Sequence, residues 1–496
     1  MTPKYVMALD EGSTSARTVL VNLDGEIVAE ARNPVVPTFP RPLWVELDPF
    51  DLWAAQRRSM AAVMAEAGAV TDEIAAVGLT THRESCLVWD RRTGEPVHPA
   101  LMWMSKQTDP IVERWRAQGL DEQFRARTGL FNDSFFSAAK LAWLLENVPG
   151  VRARAERGEL AAGTVDTWLL WKLTGGRSHL TDHSEASRTA LFSLEALDWD
   201  EALLRACGIP PGLLPPAVAS DAHFGEMRPE DVGLPGSAAV PVTAVMADQQ
   251  AGMFGQACFE PGSAKNTFGT ASVLTANTGD RPDVLDGLTA SVGWTVGGTT
   301  TYEAEGVVFH SGQTLQWMRE RLGVLREGDD IVEVASRVPD TGGVYVVPAF
   351  AGLCAPYWKR DARASIVGLT LESGAEHVVR AGVEAMAYQT RDNVDVLVAS
   401  GIPLPELKVD GGAARSDLLC QFQADILGIP VCRPVELERT ALGVAQLAGM
   451  GAGIWRQADL EGHWTLDRVF EPRMPEARRE ELYAGWQAAV RTVTGG

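Results

Sequence analysis

Several features that would each assign a protein to a class are scarce in this sequence. Its six cysteines are scattered without any C-x-x-C spacing, so we expect reduced thiols that serve mainly in packing. Lysine and arginine together number 44 against 65 aspartates and glutamates, which gives a formal net charge of −21. Because nucleic-acid binding needs a surplus of positive charge, we expect no nucleic-acid partner.

Long hydrophobic runs are missing as well. No segment reaches the length of a membrane span, and Asp10 interrupts the place where the apolar part of a secretion signal would run. We therefore expect a cytoplasmic protein without a membrane span. With 496 residues, of which 46% are hydrophobic and 22% charged, the chain has a globular composition and is long enough for two or three domains.

The common nucleotide and catalytic motifs are also absent. The sequence contains no G-x-x-x-x-G-K-[S/T] and no G-x-G-x-x-G, so neither a P-loop nor a dinucleotide fingerprint is present. It contains no H-E-x-x-H zinc motif and no G-x-S-x-G hydrolase motif. A nucleotide site in this chain must be built from other elements.

Residues 5–30 predict three consecutive strands joined by short polar turns. An apolar run ends in Asp10, and Gly12 with three hydroxyl-bearing residues follows before the chain returns. Such a turn can hold a phosphate, because glycine lets the backbone approach, N–H groups point at oxygen, and Asp10 can bind Mg²⁺ through water. An ordinary hairpin with a polar tip is the alternative interpretation.

Two later stretches repeat this pattern, over residues 268–272 and 410–416. A nucleotide between two like domains needs one hairpin from each domain on the phosphates and a diglycine turn beneath the sugar or base. Strands alternate with helices, which predicts α/β layers, and the repeated glycine and hydroxyl hairpin predicts an internal duplication. Helices are predicted over residues 108–118, 137–147, 165–173, 199–206, 310–322, 375–400, 417–427 and 441–453.

Many short segments, taken in order from residue 5 to about residue 455, resemble the glycerol kinases within the FGGY family of sugar and polyol kinases. They cover residues 10–15, 80–89, 136–141, 164–168, 181–189, 247–250, 347–350, 409–413 and 421–427. No single segment is specific, whereas the ordered set is. The resemblance implies an α/β fold of two duplicated actin-like (ribonuclease H-like) ATPase domains around a central cleft. Residues 1–250 would carry most of the substrate site, and residues 251–496 most of the nucleotide site.

When the functional residues of the family are matched to positions in this sequence, the resemblance implies a general base, a metal site and two ligand sites. Asp248 would be the general base, and Asp10 and Asp248 would lie at Mg²⁺, Asp10 through water. Substrate contacts would come from Arg83, Glu84, Trp103, Phe135, Asp248, Gln249 and Val273. Contacts to ATP would come from Ser13, Thr14, Ser15, Arg17, Gly269, Thr270, Gly312, Gln316, Gly412 and Ser416.

The chemistry of a neutral polyol agrees with these roles. Hydroxyl groups need a charged donor and a charged acceptor, here Arg83 and Glu84 at a strand end. An alcohol is a weak nucleophile, so Asp248 must take its proton as it attacks phosphorus. The alternatives are a structural Arg83–Glu84 ion pair, Trp103 as a core residue and Asp248 as a helix cap. His82 and His310 are interpreted as packing or surface residues.

Six residues depart from the pattern of the glycerol kinases, and two of them are Ala247 and Ala271, which stand where glycine is usual. Phe135 and Val273 stand where tyrosine and phenylalanine are usual, and His82 and Met104 where glutamine is usual. Phe135 cannot donate a hydrogen bond, and Val273 leaves room beside the carbon chain.

The expected reaction is ATP- and Mg²⁺-dependent phosphorylation of a terminal hydroxyl of a small polyol, glycerol to glycerol 3-phosphate being the first expectation. A larger acceptor, erythritol or a pentose-like compound, is the alternative within this class. A catalytically silent actin-like sensor or scaffold is the alternative outside it. The resemblance also implies a homodimer or homotetramer.

Overall fold

The computed structural model describes residues 2–326 and 328–495. Its strands are β1 (Tyr5–Glu11), β2 (Ser15–Asn22), β3 (Ile27–Pro34), β4 (Glu46–Leu47), β5 (Ile74–Thr81), β6 (Cys86–Asp90), β7 (Ala100–Leu101), β8 (Leu160–Thr164), β9 (Thr181–Asp182), β10 (Phe192–Ser193), β11 (Asp198–Trp199), β12 (Ala217–Val218), β13 (Gly225–Met227), β14 (Val240–Ala247), β15 (Ala264–Phe268), β16 (Ser272–Gly279), β17 (Thr289–Val296), β18 (Thr299–Val308), β19 (Tyr345–Val347), β20 (Ser365–Val367), β21 (Leu407–Asp410), β22 (Val431–Pro434) and β23 (Leu466–Phe470).

The α-helices are α1 (Pro49–Ala67), α2 (Asp109–Ala117), α3 (Asp121–Thr128), α4 (Ser137–Asn147), α5 (Val151–Glu156), α6 (Val165–Leu173), α7 (His183–Ser187), α8 (Glu201–Cys207), α9 (Pro229–Val232), α10 (Asp248–Gly255), α11 (Gly312–Trp317), α12 (Ile331–Ala335), α13 (Ala375–Ala399), α14 (Asp417–Leu427), α15 (Arg439–Gly451), α16 (Gln457–Leu460) and α17 (Glu476–Thr494). None of the helices in residues 2–326 and 328–495 combines the length and the hydrophobicity that crossing a membrane requires.

The first large sheet brings the ends of three parallel strands to one level. Its order is β13-β14-β5-β1-β2-β3, and β5 runs parallel to both β1 and β14. In this register Thr81 pairs with Glu11 on one side and with Ala247 on the other. His82 and Asp248, the next residues along the chain, therefore leave the sheet side by side at its carboxyl edge, where α/β sheets bind ligands.

The second large sheet repeats the first. Its order is β17-β18-β16-β15-β21-β22-β23. The first sheet can be followed from β3 to β13 and the second from β18 to β23. In both, the first two pairs of neighbouring strands are antiparallel, the next two pairs are parallel and the last pair is antiparallel. The predicted internal duplication is thereby confirmed.

Two helices with small residues lie between the large sheets, since α15 packs on β1, β5 and β14, and α10 packs on α15. The approach is close, because a Cβ on Gly78 would lie 2.5 Å from the carbonyl oxygen of Val444, and one on Gly443 would lie 1.9 Å from that of Ala251. A helix from the C-terminal half thus covers the first sheet. Residue 250 lies inside α10, so a division of the chain at that residue would cut a helix.

A smaller sheet, in the order β4-β7-β6-β8, is an addition that the strand patterns do not predict as a separate unit. In it Cys86 of β6 pairs with Leu101 of β7. Strands β6, β7 and β8 and helix α4 pack in an aromatic-rich core that includes Phe124 and Phe136. Because β6 begins just after Glu84 and β7 ends just before Trp103, this sheet fixes two loops of the candidate site relative to each other.

Most predicted helices lie where the periodicity placed them, and those over residues 137–147, 165–173 and 417–427 match α4, α6 and α14 at both ends. The helix predicted from residue 199 begins later, as α8, because the Asp200 carboxylate accepts a hydrogen bond from the N–H of Leu203 and caps the helix there. The helix predicted over residues 310–322 consists of α11 followed by a π-helical turn, Met318–Leu322.

The six cysteines give a first testable prediction. All six are free and buried, and burial raises the pKa of each thiol, to about 12 for Cys86 and about 11 for Cys258. Since the thiolate is the reactive form, we expect an aromatic disulfide reagent to modify less than about one thiol per native chain. Six thiols should react once the protein is denatured. Rapid modification of several thiols in the native state would contradict this burial.

Candidate active site

The turn between β5 and β6 holds an arginine and a glutamate at the carboxyl edge of the first sheet. Arg83 and Glu84 are both buried, and Nε of Arg83 lies 3.1 Å from a carboxylate oxygen of Asp248. Glu84 has a φ of +64°, a left-handed conformation that costs a non-glycine residue about 1–2 kcal/mol. Backbone strain of this kind is typical of functional sites, where the surrounding structure maintains it.

Two buried residues without a role in the sequence-based prediction hold this pair in place. Arg188 donates a hydrogen bond of 2.8 Å to Glu84 and one of 2.7 Å to Glu305, and Arg83 also donates to Glu305. Arg188 follows α7 and Glu305 lies on β18. The four side chains therefore form one charged network between the first half of the chain and the second sheet.

Charges in this network oppose the effect of burial on its carboxylates. Burial raises the pKa of Glu84, although Arg83 and Arg188 act to lower it. At Glu305 burial also acts upward, but Arg188 and Arg83 outweigh it and the pKa is lowered. Arg83 and Arg188 thus favour the carboxylate form of Glu84, the form that accepts hydrogen bonds from hydroxyl groups.

Trp103 connects the acceptor side of the site to the first glycine and hydroxyl turn. Its indole N–H donates a hydrogen bond of 2.7 Å to Oγ of Ser13, and its backbone N–H donates one of 2.9 Å to Oγ of Ser85. Its ring meets that of Phe135 edge-on, with 5.6 Å between the centroids. The aromatic wall is therefore fixed from both sides in advance of ligand binding.

Glycine residues from three segments meet at the edge of the second sheet. A Cβ on Gly312 would lie 2.7 Å from the carbonyl oxygen of Gly269, and one on Gly411 would lie 2.6 Å from that of Phe268. Gly411 also has a φ of +82°, which favours glycine. These contacts bring the turn after β15, the diglycine turn after β21 and the start of α11 together.

Side chains from both sheets line one cavity of about 200 Å³. The predicted site residues in its lining are Ser13, Arg83, Glu84, Trp103, Phe135, Asp248, Gln249, Gly269, Thr270 and Val273. They come from strand ends and turns far apart in the sequence. The arrangement can bind a hydroxylated molecule between a charged pair and an aromatic wall. The glycine and hydroxyl turns of the two sheets, which can bind phosphate, lie on either side.

Asp10 lies at the edge of this arrangement and interacts with its charged groups. Burial raises its pKa to about 6, with Arg17 opposing this change and Asp248 adding to it. Among the hydrogen bonds of the described residues, none involves the Asp10 carboxylate. No cluster of three or more His, Cys, Asp or Glu in residues 2–326 and 328–495 could enclose a metal. The pair Asp10 and Asp248 fits Mg²⁺ nonetheless, since this ion is bound through one or two carboxylates with water and phosphates.

Arg17 is held by two carboxylates, one from each half of the chain. Its Nε and one Nη donate to the two carboxylate oxygens of Glu30 at 2.9 and 2.8 Å, and the other Nη donates to Glu438 at 3.0 Å. The guanidinium is buried and absent from the cavity lining. Two carboxylates therefore engage all three nitrogens of the guanidinium group, and the expected phosphate contact of Arg17 stays a prediction.

Other predicted nucleotide residues also lie outside the lining of the cavity. Gln316 donates a hydrogen bond of 2.8 Å to Glu320, and Ser416 caps α14 by accepting from the N–H of Leu419. The remaining residues of this group are Thr14, Ser15, Gly312 and Gly412. The structure thus brings the acceptor residues together in one cavity, whose lining does not include these nucleotide residues.

The two histidines interpreted as packing or surface residues both line cavities, His82 in the site cavity and His310 in its neighbour. Nδ1 of His82 lies 3.1 Å from the carbonyl oxygen of Glu11, so Nδ1 carries the proton. Nε2 has no partner among the described residues, and burial lowers the pKa of the ring. His82 therefore presents a hydrogen-bond acceptor that its position after a buried strand could have indicated.

Two like-built α/β units with glycine turns and an Arg–Glu–Asp cluster at facing sheet edges define the class of actin-like kinases. Two family models match this chain, the N-terminal domain of the FGGY family of carbohydrate kinases over residues 5–255 and its C-terminal domain over residues 264–452. The chain belongs to the FGGY family of carbohydrate kinases.

Individual relatives agree with this assignment. The chain is 48% identical to a glycerol kinase of Carboxydothermus hydrogenoformans over 99% of this chain and 98% of the relative. It is 48% identical to one of Symbiobacterium thermophilum over 100% of this chain and 99% of the relative. The crystal structure of Plasmodium falciparum glycerol kinase with ADP superposes with a TM-score of 0.90 at 29% identity, covering 99% and 98% of the two chains. The predicted family and fold class are confirmed, and the protein is a phosphotransferase.

Proposed function

We propose that this protein transfers the terminal phosphoryl group of ATP to a terminal hydroxyl group of glycerol, forming glycerol 3-phosphate. The observation that carries the proposal is the cavity in which Arg83, Glu84 and Asp248 lie with the turn residues Ser13 and Thr270 of both sheets. Relatives at 48% identity over the whole chain are named glycerol kinase, and the related Plasmodium falciparum structure contains ADP.

On the acceptor side, each proposed role follows from the chemistry of the side chain. Arg83 donates to hydroxyl oxygens, Glu84 accepts from hydroxyl hydrogens, and Gln249 adds a further polar contact. Trp103 and Phe135 cover the carbon chain and keep water from it. Because the aromatic pair and the charged network are already fixed by hydrogen bonds and packing, the acceptor binds to a preorganised site.

Asp248 is the proposed general base. As the acceptor oxygen attacks the γ-phosphorus, its proton moves to a carboxylate oxygen of Asp248, the new O–P bond forms, and the bond to the β-phosphate oxygen breaks to release ADP. Nε of Arg83, at 3.1 Å, holds this carboxylate in position. General-base catalysis of this kind contributes about 10²–10⁴ in rate.

The nucleotide is proposed to lie between the glycine turns, with the N-terminal half supplying most of the acceptor site and the C-terminal half most of the nucleotide site. Gly269 and Thr270 would contact the phosphates from the second sheet, opposite Ser13 of the first. Asp10 and Asp248 would hold Mg²⁺, which neutralises charge on the transferring phosphoryl group.

A larger acceptor is the second candidate. A further cavity of about 280 Å³ shares Trp103, Phe135 and Thr270 with the site and extends past Met104 and Ala351. The small side chain of Val273 leaves additional space within the site itself. A four-carbon or five-carbon polyol would therefore find room beyond the glycerol position.

An assay of ADP release over glycerol, erythritol and pentose-like compounds tests both candidates. We expect glycerol to give the highest kcat/KM, with measurable turnover of the four-carbon polyol. If a larger acceptor exceeds glycerol, the second candidate replaces the first. If no acceptor raises ADP release above the rate of ATP hydrolysis alone, the protein is no polyol kinase.

Replacing Phe135 by tyrosine tests the acceptor pocket. Phe135 lines the cavity next to Trp103, and a hydroxyl group there would add one hydrogen bond to the polyol. A net hydrogen bond is worth about 0.5–1.5 kcal/mol, so we expect Phe135→Tyr to lower the KM for glycerol by about 2- to 12-fold. Phe136→Tyr is the matched control, since Phe136 is buried outside the cavity. An unchanged or higher KM for Phe135→Tyr would contradict this assignment.

A further inference from the structure

A second large cavity, of about 490 Å³, lies apart from the candidate active site and shares no lining residue with it. We call it the basic cavity, because four cationic side chains line it: Arg57, Arg91, Arg92 and Lys172. They come from α1, from the turn after β6 and from α6. Four cations converging on one concavity are unexpected in a chain whose net charge is −21.

None of these four cations forms an ion pair with a carboxylate of the described residues. Among the ion pairs of the described residues, none within 4.0 Å involves Arg57, Arg91, Arg92 or Lys172. Asp231 is the one acidic residue in the lining, and its carboxylate is paired with Arg177. The positive charge of the basic cavity is therefore available to a ligand.

Backbone carbonyl groups hold two of the cations in place. Nε of Arg57 donates to the carbonyl oxygen of Val232 at 3.0 Å, and Arg91 donates to those of Leu160 at 2.9 Å and Gly212 at 2.8 Å. These contacts order the guanidinium groups without cancelling their charge. Less conformational entropy is then lost when an anion binds.

The pKa of Lys172 depends on burial and on two charged neighbours, Glu95 and Arg57. Burial lowers the pKa of Lys172, and Arg57 lowers it further, while Glu95 acts in the opposite direction. The ammonium group lies over the rings of Phe50 and Trp168, 5.5 and 5.3 Å from their centroids. A bound anion would relieve the repulsion between Lys172 and Arg57.

From this arrangement we propose that the basic cavity is a binding site for a small anion carrying one or two phosphate groups, such as a phosphate ester or pyrophosphate. Guanidinium groups bind phosphate oxygens in a bidentate manner. The space of about 490 Å³ is in the range of small-molecule sites. The site adds a second anion-binding function to the protein, independent of the phosphoryl-transfer reaction.

Calorimetric titration of the intact protein with pyrophosphate tests this proposal. Binding of pyrophosphate at the nucleotide site is subtracted as the component common to all three proteins, because both double variants leave that site unchanged. The test variant is Arg57→Gln/Arg92→Gln, which changes two exposed side chains. The matched control is Arg58→Gln/Arg281→Gln, since these arginines are also exposed, lie outside the basic cavity and carry the same total charge.

We expect the wild-type protein and the control to bind one pyrophosphate with equal affinity, and the test variant to bind it at least about tenfold more weakly. Equal weakening in both double variants would show a general charge effect and overturn the proposal, as would equal binding in all three proteins or none in the wild type. Arg92→Gln alone is measured as well, since no side-chain hydrogen bond of Arg92 is present to be lost among the described residues. It should weaken binding in part while leaving the melting temperature unchanged.

Discussion

Replacing Asp248 by asparagine is expected to lower kcat by about 10²–10⁴-fold while the KM for glycerol changes by less than about threefold. Asparagine keeps an oxygen that can accept from Nε of Arg83, the contact now made at 3.1 Å, but it cannot take the proton of the acceptor hydroxyl. The loss should therefore appear in the chemical step. Steady-state kinetics with glycerol and ATP, together with a measurement of glycerol binding to the variant, separate the two contributions.

A matched control for this variant is Asp280→Asn. Asp280 is 86% exposed and lies outside the cavity, so its loss of one negative charge should leave kcat and KM unchanged. If Asp248→Asn retains more than about a third of the wild-type kcat, Asp248 is not the general base. If the variant instead loses glycerol binding with kcat preserved, Asp248 positions the acceptor without taking its proton.

Replacing Arg188 by methionine is expected to have the second largest effect, on acceptor binding. Arg188 is fully buried between Glu84 and Glu305, at 2.8 and 2.7 Å, and it touches neither acceptor nor nucleotide in the proposed mechanism. Hydrogen bonds to charged groups contribute about 1.5–3 kcal/mol. We expect the KM for glycerol to rise about 10- to 150-fold, with a smaller change in kcat.

The pH dependence of Arg188→Met distinguishes positioning from simple destabilisation. Burial already raises the pKa of Glu84 and Arg188 opposes that effect, so removing Arg188 raises the pKa further. Glu84 must be a carboxylate to accept from the polyol, and this form is lost as the pH falls through its pKa. The acid limb of kcat/KM should therefore move to higher pH in the variant.

Two further variants make the result of this experiment interpretable. Arg188→Lys keeps the charge and should restore part of the affinity and the wild-type acid limb. Arg127→Met removes an arginine whose partner is Asp200, at 3.0 Å, and should leave both unchanged. A raised KM with an unmoved acid limb would show that Arg188 supports the fold and does not control the charge of Glu84.

The main elements of the fold could be predicted from local pattern. Helix α14 matches the predicted bounds because its apolar periodicity is interrupted clearly, by the diglycine turn before it and by Gly428 after it. The duplication could be predicted because the glycine and hydroxyl turns follow strands in both halves. The small sheet β4-β7-β6-β8 could not, since β4 and β7 are two residues long and β4 and β8 pair with strands distant in the sequence.

Some residues of the candidate site could likewise be predicted from the sequence, and others could not. Arg83, Glu84 and Asp248 follow buried strands, and a polar residue at such a strand end is a signal that the sequence alone carries. Arg188 and Glu305 carry no comparable signal, because their role depends on a contact of 2.7 Å between residues 117 positions apart. The phosphate role expected of Arg17 follows from the resemblance alone, and its pairing with Glu438 depends on the distant C-terminal half of the chain.

The most direct test follows the phosphorus atom itself. When the wild-type protein is incubated with Mg²⁺, ATP and glycerol, phosphorus NMR should show one glycerol 3-phosphate and one ADP for each ATP consumed, and the product should form about 10²–10⁴-fold more slowly with Asp248→Asn. Appearance of inorganic phosphate in place of the phosphate monoester would contradict the account, since the γ-phosphoryl group would then pass to water and not to a polyol held beside Arg83 and Glu84.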